Sequence, residues 1–291
     1  MVSALVTGRF APSPTGNLHF GSLVSAVGSF LEVRHQGGDW LLRIEDIDPP
    51  REVAGSATSI ISDLKRLGME PDAPVLYQSS RLNAYQEAVE RLLEAGLAYH
   101  CGCTRKNLPP SGVYPGTCRN GIPAGKVSRA IRFRVEPGIC EFNDGVQGSI
   151  SDSPAEISGD FVIRRADGLF AYQLAVVVDD GFQGITQVVR GTDLLDSTSR
   201  QIKLQQALGL ITPSYMHLPI VLSTDGRKLS KRLQTDPVKN REPADVIAQA
   251  LAFLGQNPPS GLSLNGLWDW ALEHWNSDLI PQRRAILPHG V

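Results

Sequence analysis

Apolar residues recur at helical spacing downstream of His19, with Leu23, Val27, Phe30 and Leu31 on one face. Gly37-Gly38 supplies a helix C-cap signal, and Trp40-Leu41-Leu42-Arg43-Ile44 follows as an apolar run of strand length. Two further helices are predicted, one through Ile60, Ile61, Leu64 and Leu67 to Gly68, the other through Tyr85, Val89, Leu92 and Leu93 to Gly96. Upstream, Ala4 to Val6 reads as a first strand, separated from the first helix by a loop carrying Pro12, Pro14 and Gly16. Strands alternating with helices of this length predict βαβ units and a parallel sheet, an α/β fold. Ligands in such sheets bind beyond the carboxyl ends of the strands, the edge at which the loop 11–18 lies.

The pattern changes over residues 101–160, where Gly, Pro and Ser are frequent and only short β-like pieces such as Ala130 to Val135 remain. This stretch reads as an insertion between two halves of a sheet, 1–100 and 161–235. Phe161 to Arg165, the turn Ala166-Asp167-Gly168 and Leu169 to Ala175 read as a hairpin. Gly184 to Arg190 is a further strand and Leu194 to Leu208 a helix. Helical patterns at Ala244 to Leu254 and Leu267 to Trp275 make a short helical unit of residues 236–291.

Composition changes this picture little. The 291 residues are 42% hydrophobic and 20% charged, ordinary for a globular protein, and the net charge of −2 confines any basic surface to local patches. An apolar run of roughly 18 residues, or a charged-then-apolar leader, would signal a membrane span or secretion. Neither is present, so a cytoplasmic protein with no membrane role is expected. Four cysteines, three of them clustered, suit a metal site in a reducing compartment better than a disulfide framework.

Several segments carry chemistry. His19 opens a helix whose unpaired N–H groups and dipole attract phosphate, and Gly21 leaves room for a base or phosphate to approach. Far downstream, Asp225-Gly226-Arg227-Lys228-Leu229-Ser230-Lys231-Arg232 is a turn followed by basic residues able to bracket a polyphosphate. Arg43-Ile44-Glu45-Asp46-Ile47-Asp48 sets three carboxylates at a strand end, suited to an ammonium group or Mg²⁺. Arg190 leaves a buried strand and should meet a carboxylate, either a neighbour such as Asp193 or a ligand. Cys101, Cys103 and Cys118 offer three thiolates for tetrahedral zinc, with the fourth ligand open between His100 and Tyr114. Cys140 stands apart, as a small core residue does.

Taken in order, His19-Phe20-Gly21-Ser22 and Lys228-Leu229-Ser230-Lys231-Arg232 resemble the HIGH and KMSKS signatures of class I aminoacyl-tRNA synthetases, with Ser22 in place of the second histidine. Arg9-Phe10-Ala11-Pro12-Ser13-Pro14-Thr15-Gly16, the Arg43–Asp48 segment, and Tyr172 to Asp180 with Val189-Arg190-Gly191 are similar to the glutamyl-tRNA synthetase branch. The resemblance spans residues 8 to about 235. It implies a Rossmann-like catalytic domain with a zinc-bearing insertion. It further implies that Arg9, Phe10, Ala11, Pro12, Ser13, Glu45, Tyr172 and Arg190 hold L-glutamate. His19, Gly21, Ser22, Lys228, Ser230 and Lys231 would hold ATP with Mg²⁺, and His19, Lys228 and Lys231 would assist catalysis. The implied set for a structural Zn²⁺ is Cys101, Cys103, Tyr114 and Cys118.

The chain ends roughly 60 residues after the KMSKS-like segment. That length resembles the glutamyl-Q tRNA(Asp) synthetases, relatives without an anticodon-binding domain. The resemblance implies ATP-dependent activation of glutamate and its transfer to queuosine at the wobble position of tRNA(Asp). The rival expectations are a truncated enzyme charging a tRNA 3′ end, a non-catalytic tRNA-binding paralogue, and a nucleotidylyltransferase. The last would not need the set Arg9, Glu45, Tyr172 and Arg190.

Overall fold

A computed structural model describes residues 5–223 and 238–287. The Lys228–Arg232 segment, with Lys228, Ser230 and Lys231, lies outside the described residues. The first strand is β1 (Thr7–Phe10), later in the chain than the apolar stretch Ala4 to Val6 that suggested it, so Arg9 is a strand residue. Helix α1 (Phe20–His35) and strand β2 (Asp39–Ile44) follow as the periodicity indicates. Next come α2 (Ser56–Arg66), the short β3 (Leu76–Tyr77) and α3 (Leu82–Glu94). Strands β4 (Ala98–Cys101), β5 (Ala130–Phe133), β6 (Cys140–Asp144) and β7 (Gly148–Asp152) precede the one-turn helix α4 (Pro154–Ile157) and β8 (Phe161–Arg164).

Tyr172 does not continue a hairpin strand; it begins helix α5 (Tyr172–Phe182). Only Phe170 bridges back to Arg164 across the turn. The reason is burial: Leu174, Ala175, Val176 and Val177 are all buried, so the apolar run lacks the polar positions that reveal a helical period. Strand β9 (Gln187–Gly191), helix α6 (Leu195–Leu208), β10 (Ser214–Leu218) and β11 (Ile220–Val221) complete the second half. Helices α7 (Pro243–Phe253) and α8 (Leu264–His274) and strand β12 (Ala285–Ile286) follow.

The main sheet has the order β3-β2-β1-β9-β10-β6-β7 and is parallel except for the β6–β7 hairpin. That hairpin, inside the stretch 101–160, therefore extends the main sheet through a β6–β10 pairing. A separate sheet, β4-β5-β8, carries the cysteine-rich loop. β1 and β9 are neighbours although far apart in sequence, so the connections out of the first and second halves diverge there and open a crevice. Gly8 keeps β1 close to α1, since a Cβ at that position would sit 2.3 Å from Val33 Cγ2.

The largest core lies where α1 packs with α7, α8 and the first strands. Phe30 is its hinge, edge-on to both Trp40 and Trp268, and Trp268 Nε1 donates to Leu67 O at 2.8 Å. Thus α7 and α8 share the core that supports the first half of the sheet. A second core joins α3, α5 and α6 to β5 and β8. No helix among the described residues is long and apolar enough to cross a membrane.

Candidate active site and metal centre

The carboxyl ends of β1, β2 and β9, the loop after β1, and the starts of α1 and α5 surround one cavity of about 1100 Å³. Arg9, Phe10, Ala11, Pro12, Ser13, Glu45, Tyr172 and Arg190 all line it, as do His19, Gly21 and Ser22. The structure therefore brings together every described residue that the sequence assigned to an amino acid or to ATP.

At one end, His19 caps α1: its Nδ1 accepts from the Ser22 backbone N–H at 3.2 Å, and Ser22 Oγ lies 3.0 Å from His19 Nε2. No acidic side chain occupies the first turn of α1. The N-terminal end of α1, which lines the cavity through His19, Gly21 and Ser22, thus carries no acidic side chain of its own against the helix dipole, an arrangement that favours phosphate.

At the other end lies a set of buried charges. Asp180, on α5, accepts from Arg9 Nε at 2.9 Å and Nη2 at 3.4 Å, and from Arg43 Nη2 at 2.8 Å. Arg43, fully buried on β2, also donates to Gln183 Oε1 at 2.7 Å. Burial would raise the Asp180 carboxyl, but the two guanidinium groups hold it below its ordinary range. Two cations share this anion, and Glu45 is the second acid of the group. Glu45, its side chain 8% exposed, lies 3.9 Å from Arg43 Nη2. Burial pushes its carboxyl up to about 7 against the pull of Arg43 and Arg9.

No neighbouring carboxylate among the described residues forms an ion pair with Arg190, which leaves the ligand as the other expected source of one. Arg190 Nε donates to His217 Nε2 at 3.0 Å, and Nη2 to Thr198 Oγ1 at 2.8 Å, while buried Nη1 has no partner among the described residues. The site residues that sequence reasoning missed are Arg43, Asp180, Asp144 and His217. Arg43 had a signal, since i and i+2 of a strand share a face and Glu45 follows it.

The cysteine cluster is distinct from this cavity. Cys101, Cys103 and Cys118 hold their sulfurs within 4.8 Å of one another, and none is in a disulfide. Cys103 Sγ and Cys118 Sγ are 3.7 Å apart, close to the tetrahedral edge of about 3.8 Å that a 2.3 Å zinc–sulfur bond requires. Tyr114 Oη is 3.4 Å from Cys101 Sγ and 3.7 Å from Cys103 Sγ. His100, by contrast, is exposed and turned to Ser128 Oγ. The donor set therefore fits a tetrahedral cation with Tyr114 as fourth member. Arg132 lies over the Tyr114 ring, 3.8 Å from its centroid, and its Nε donates to Cys101 Sγ at 3.4 Å. Cys140 is buried elsewhere, among Ile185, Val188, Ile202 and Tyr215.

The family of class I tRNA synthetases (E and Q), catalytic domain, matches residues 5–110 and 119–253. The chain is 52% identical to the glutamyl-Q tRNA(Asp) synthetase of Dechloromonas aromatica, covering 96% of this chain and 97% of that protein. It is 49% identical to the one of Chromobacterium violaceum, covering 99% of both. Among solved structures, a glutamate tRNA ligase from Elizabethkingia meningosepticum in complex with its amino acid superposes with a TM-score of 0.80 at 28% identity. That match covers 97% of this chain and 67% of the ligase.

Proposed function

We propose a function for this chain from the premise that it belongs to the class I tRNA synthetases (E and Q), a family of ligases. It activates L-glutamate with ATP and transfers the glutamyl group to queuosine of tRNA(Asp). The observation that carries the substrate is the charge pattern of the cavity. Three buried arginines, Arg9, Arg43 and Arg190, stand against two acids, Asp180 and Glu45, and Arg190 has only neutral partners among the described residues. This surplus of positive charge suits a ligand bearing two carboxylates, and the Glu45 carboxyl suits an ammonium group. Glutamate carries those three charges. Glutamine lacks one, and would leave a buried guanidinium without its anion.

In this reading the γ-carboxylate and α-carboxylate lie between Arg9 and Arg190, and Glu45 receives the α-ammonium. The α-carboxylate is thereby aimed at the α1 N-terminus, where His19, Gly21 and Ser22 would receive the ATP phosphates. The carboxylate attacks the α-phosphorus and pyrophosphate leaves. Lys228, Ser230 and Lys231 would meet the charge that develops on it, while Mg²⁺ would screen the phosphates. A queuosine hydroxyl then attacks the acyl carbon and AMP departs. No side chain need act as nucleophile. Cys101, Cys103, Cys118 and Tyr114 would hold a structural zinc, and their reduced state suits a cytoplasmic setting.

The queuosine acceptor is supported by relatives matched nearly end to end that bear the name glutamyl-Q tRNA(Asp) synthetase. Amino-acid-dependent pyrophosphate exchange without tRNA tests the first half-reaction. Exchange with glutamate and little with glutamine is expected; equal exchange defeats the substrate assignment. Transfer to an isolated queuosine-bearing anticodon stem-loop tests the second. Glutamate found on a tRNA 3′ adenosine would make this a conventional charging enzyme instead.

A further inference from the structure

Arg190 and His217 are register partners on the parallel strands β9 and β10, and they meet through their side chains as well. Asp144, at the end of β6, fixes the histidine from the far side. Its Oδ2 lies 2.5 Å from His217 Nδ1, and its Oδ1 accepts from the His217 backbone N–H at 3.0 Å. The Val146 and Gln147 N–H groups donate to the same Oδ1, so the carboxylate is ionised, acceptor-only and itself immobilised. Both side chains are wholly buried. An acceptor at Nδ1 requires the proton there, which leaves Nε2 as a lone pair facing the Arg190 Nε–H.

Burial and the neighbouring guanidinium both keep the imidazole neutral. The consequence is a difference between the two cavity arginines. Arg9 is anchored by a carboxylate, which neutralises it in part as it fixes it. Arg190 is anchored by an uncharged ring, a threonine hydroxyl and the Leu194 carbonyl, so its charge is held in place without being spent. Its Nη1 remains as the donor for a ligand.

We propose that His217, locked by Asp144 in its Nδ1–H form, is the positioning residue that presents Arg190 as an un-neutralised cation and thereby sets the preference for a side-chain carboxylate over an amide. This rests on the glutamate reading of the cavity, with the side-chain carboxylate taken to meet Arg190. The geometry separates it from a general packing role: a ring that merely fills space has no need of one tautomer, whereas this one works only with Nε2 unprotonated.

The test combines spectroscopy and kinetics on the full chain. In ¹⁵N-labelled protein, His217 is expected to show a protonated Nδ1 and a bare Nε2. His217→Ala is expected to raise the KM for glutamate on the order of tenfold in pyrophosphate exchange and to lower the glutamate-to-glutamine ratio similarly, with the KM for ATP unchanged. His217→Gln, whose amide oxygen can accept from Arg190 while its nitrogen donates to Asp144, is expected to restore most of both. A His217 protonated on Nε2, or an alanine variant with wild-type KM and ratio, overturns the proposal while leaving the glutamate reading intact. A wild-type chain that exchanges with no preference for glutamate overturns both. Should the alanine variant not fold, the ring signals of the wild type and the selectivity of the glutamine variant decide.

Discussion

Arg9 Nε lies 2.9 Å from Asp180 Oδ1, a buried ion pair linking the end of β1 to a helix 171 residues later in the chain. Arg43 shares the same carboxylate, so Asp180 ties both halves of the sheet to the wall of the cavity.

Asp180→Asn is expected to destabilise the protein by about 3–5 kcal/mol, since it leaves buried Arg9 without its paired anion and Arg43 with Glu45 alone. Urea denaturation at neutral pH measures this. The pair should also show in the pH profile. Because the folded carboxyl is held below its ordinary range, its stabilisation is present above that range and is lost as pH falls through the lowered value. The asparagine variant should lack that acid-side component.

Glu45 behaves in the opposite sense. Its carboxyl is raised from 4.5 to about 7, so between those values the folded protein holds a proton that the unfolded chain has released. Stability therefore falls as pH rises, by about 3 kcal/mol across the window for this group, and Glu45→Gln should abolish that slope. Catalysis should show the complement: the ammonium of the amino acid needs the ionised form, so kcat/KM for glutamate is expected to drop below an apparent pKa near 7. A flat profile from pH 6 to 8 would show that Glu45 does not meet the ammonium.

How far these relations were legible in the sequence depended on the range of the interaction that fixes them. Glu45 and Arg190 stand out because charged groups end buried runs, whereas Arg9 and Tyr172 are picked out only by the resemblance of their segments to the glutamyl-tRNA synthetase branch. His217 is hidden: it sits within Tyr215-Met216-His217-Leu218, and its partner Asp144 is 73 residues away on a strand that becomes its neighbour only in the folded sheet. The same distance effect hid the β6–β7 hairpin, whose pairing with β10 no local pattern announces. Helix α5 was misread because both of its flanks are buried, which erases the polar stripe. Tyr114 could not be chosen over His100 from spacing, because strand direction decides which side chain faces the sulfurs. His100, between buried Tyr99 and Cys101, points outward by the two-residue alternation.

Lys231 lies in the basic segment whose spacing suggested a pyrophosphate clamp. Lys231→Ala is expected to lower glutamate-dependent pyrophosphate exchange by roughly 10²–10³, the effect of removing one charge-assisted donor from a developing anion. Glutamate affinity, followed by equilibrium titration, should change little, because the residues proposed to hold the amino acid, Arg9, Glu45, Tyr172 and Arg190, lie outside this segment. Unchanged exchange would place the lysine outside the reaction.

Zinc is expected at about one per chain in protein purified without added metal, and Cys118→Ser should lose it. Arg132 gives a sharper test of the centre. Three thiolates and a phenolic oxygen carry more negative charge than one Zn²⁺ cancels, and the Arg132 guanidinium lies over the Tyr114 ring while donating to Cys101 Sγ. Arg132→Met preserves much of the volume but removes the charge and the donor. It should weaken zinc retention by about 10–100-fold in a competition titration with a chelator, as loss of an outer hydrogen bond to a metal ligand does. Chelation itself should loosen the loop between β4 and β5 first. The main sheet and α1, α7 and α8 share a core that contains none of these ligands, so their exchange-protected amides should persist. Simultaneous loss of protection throughout would mean that the metal supports the whole fold.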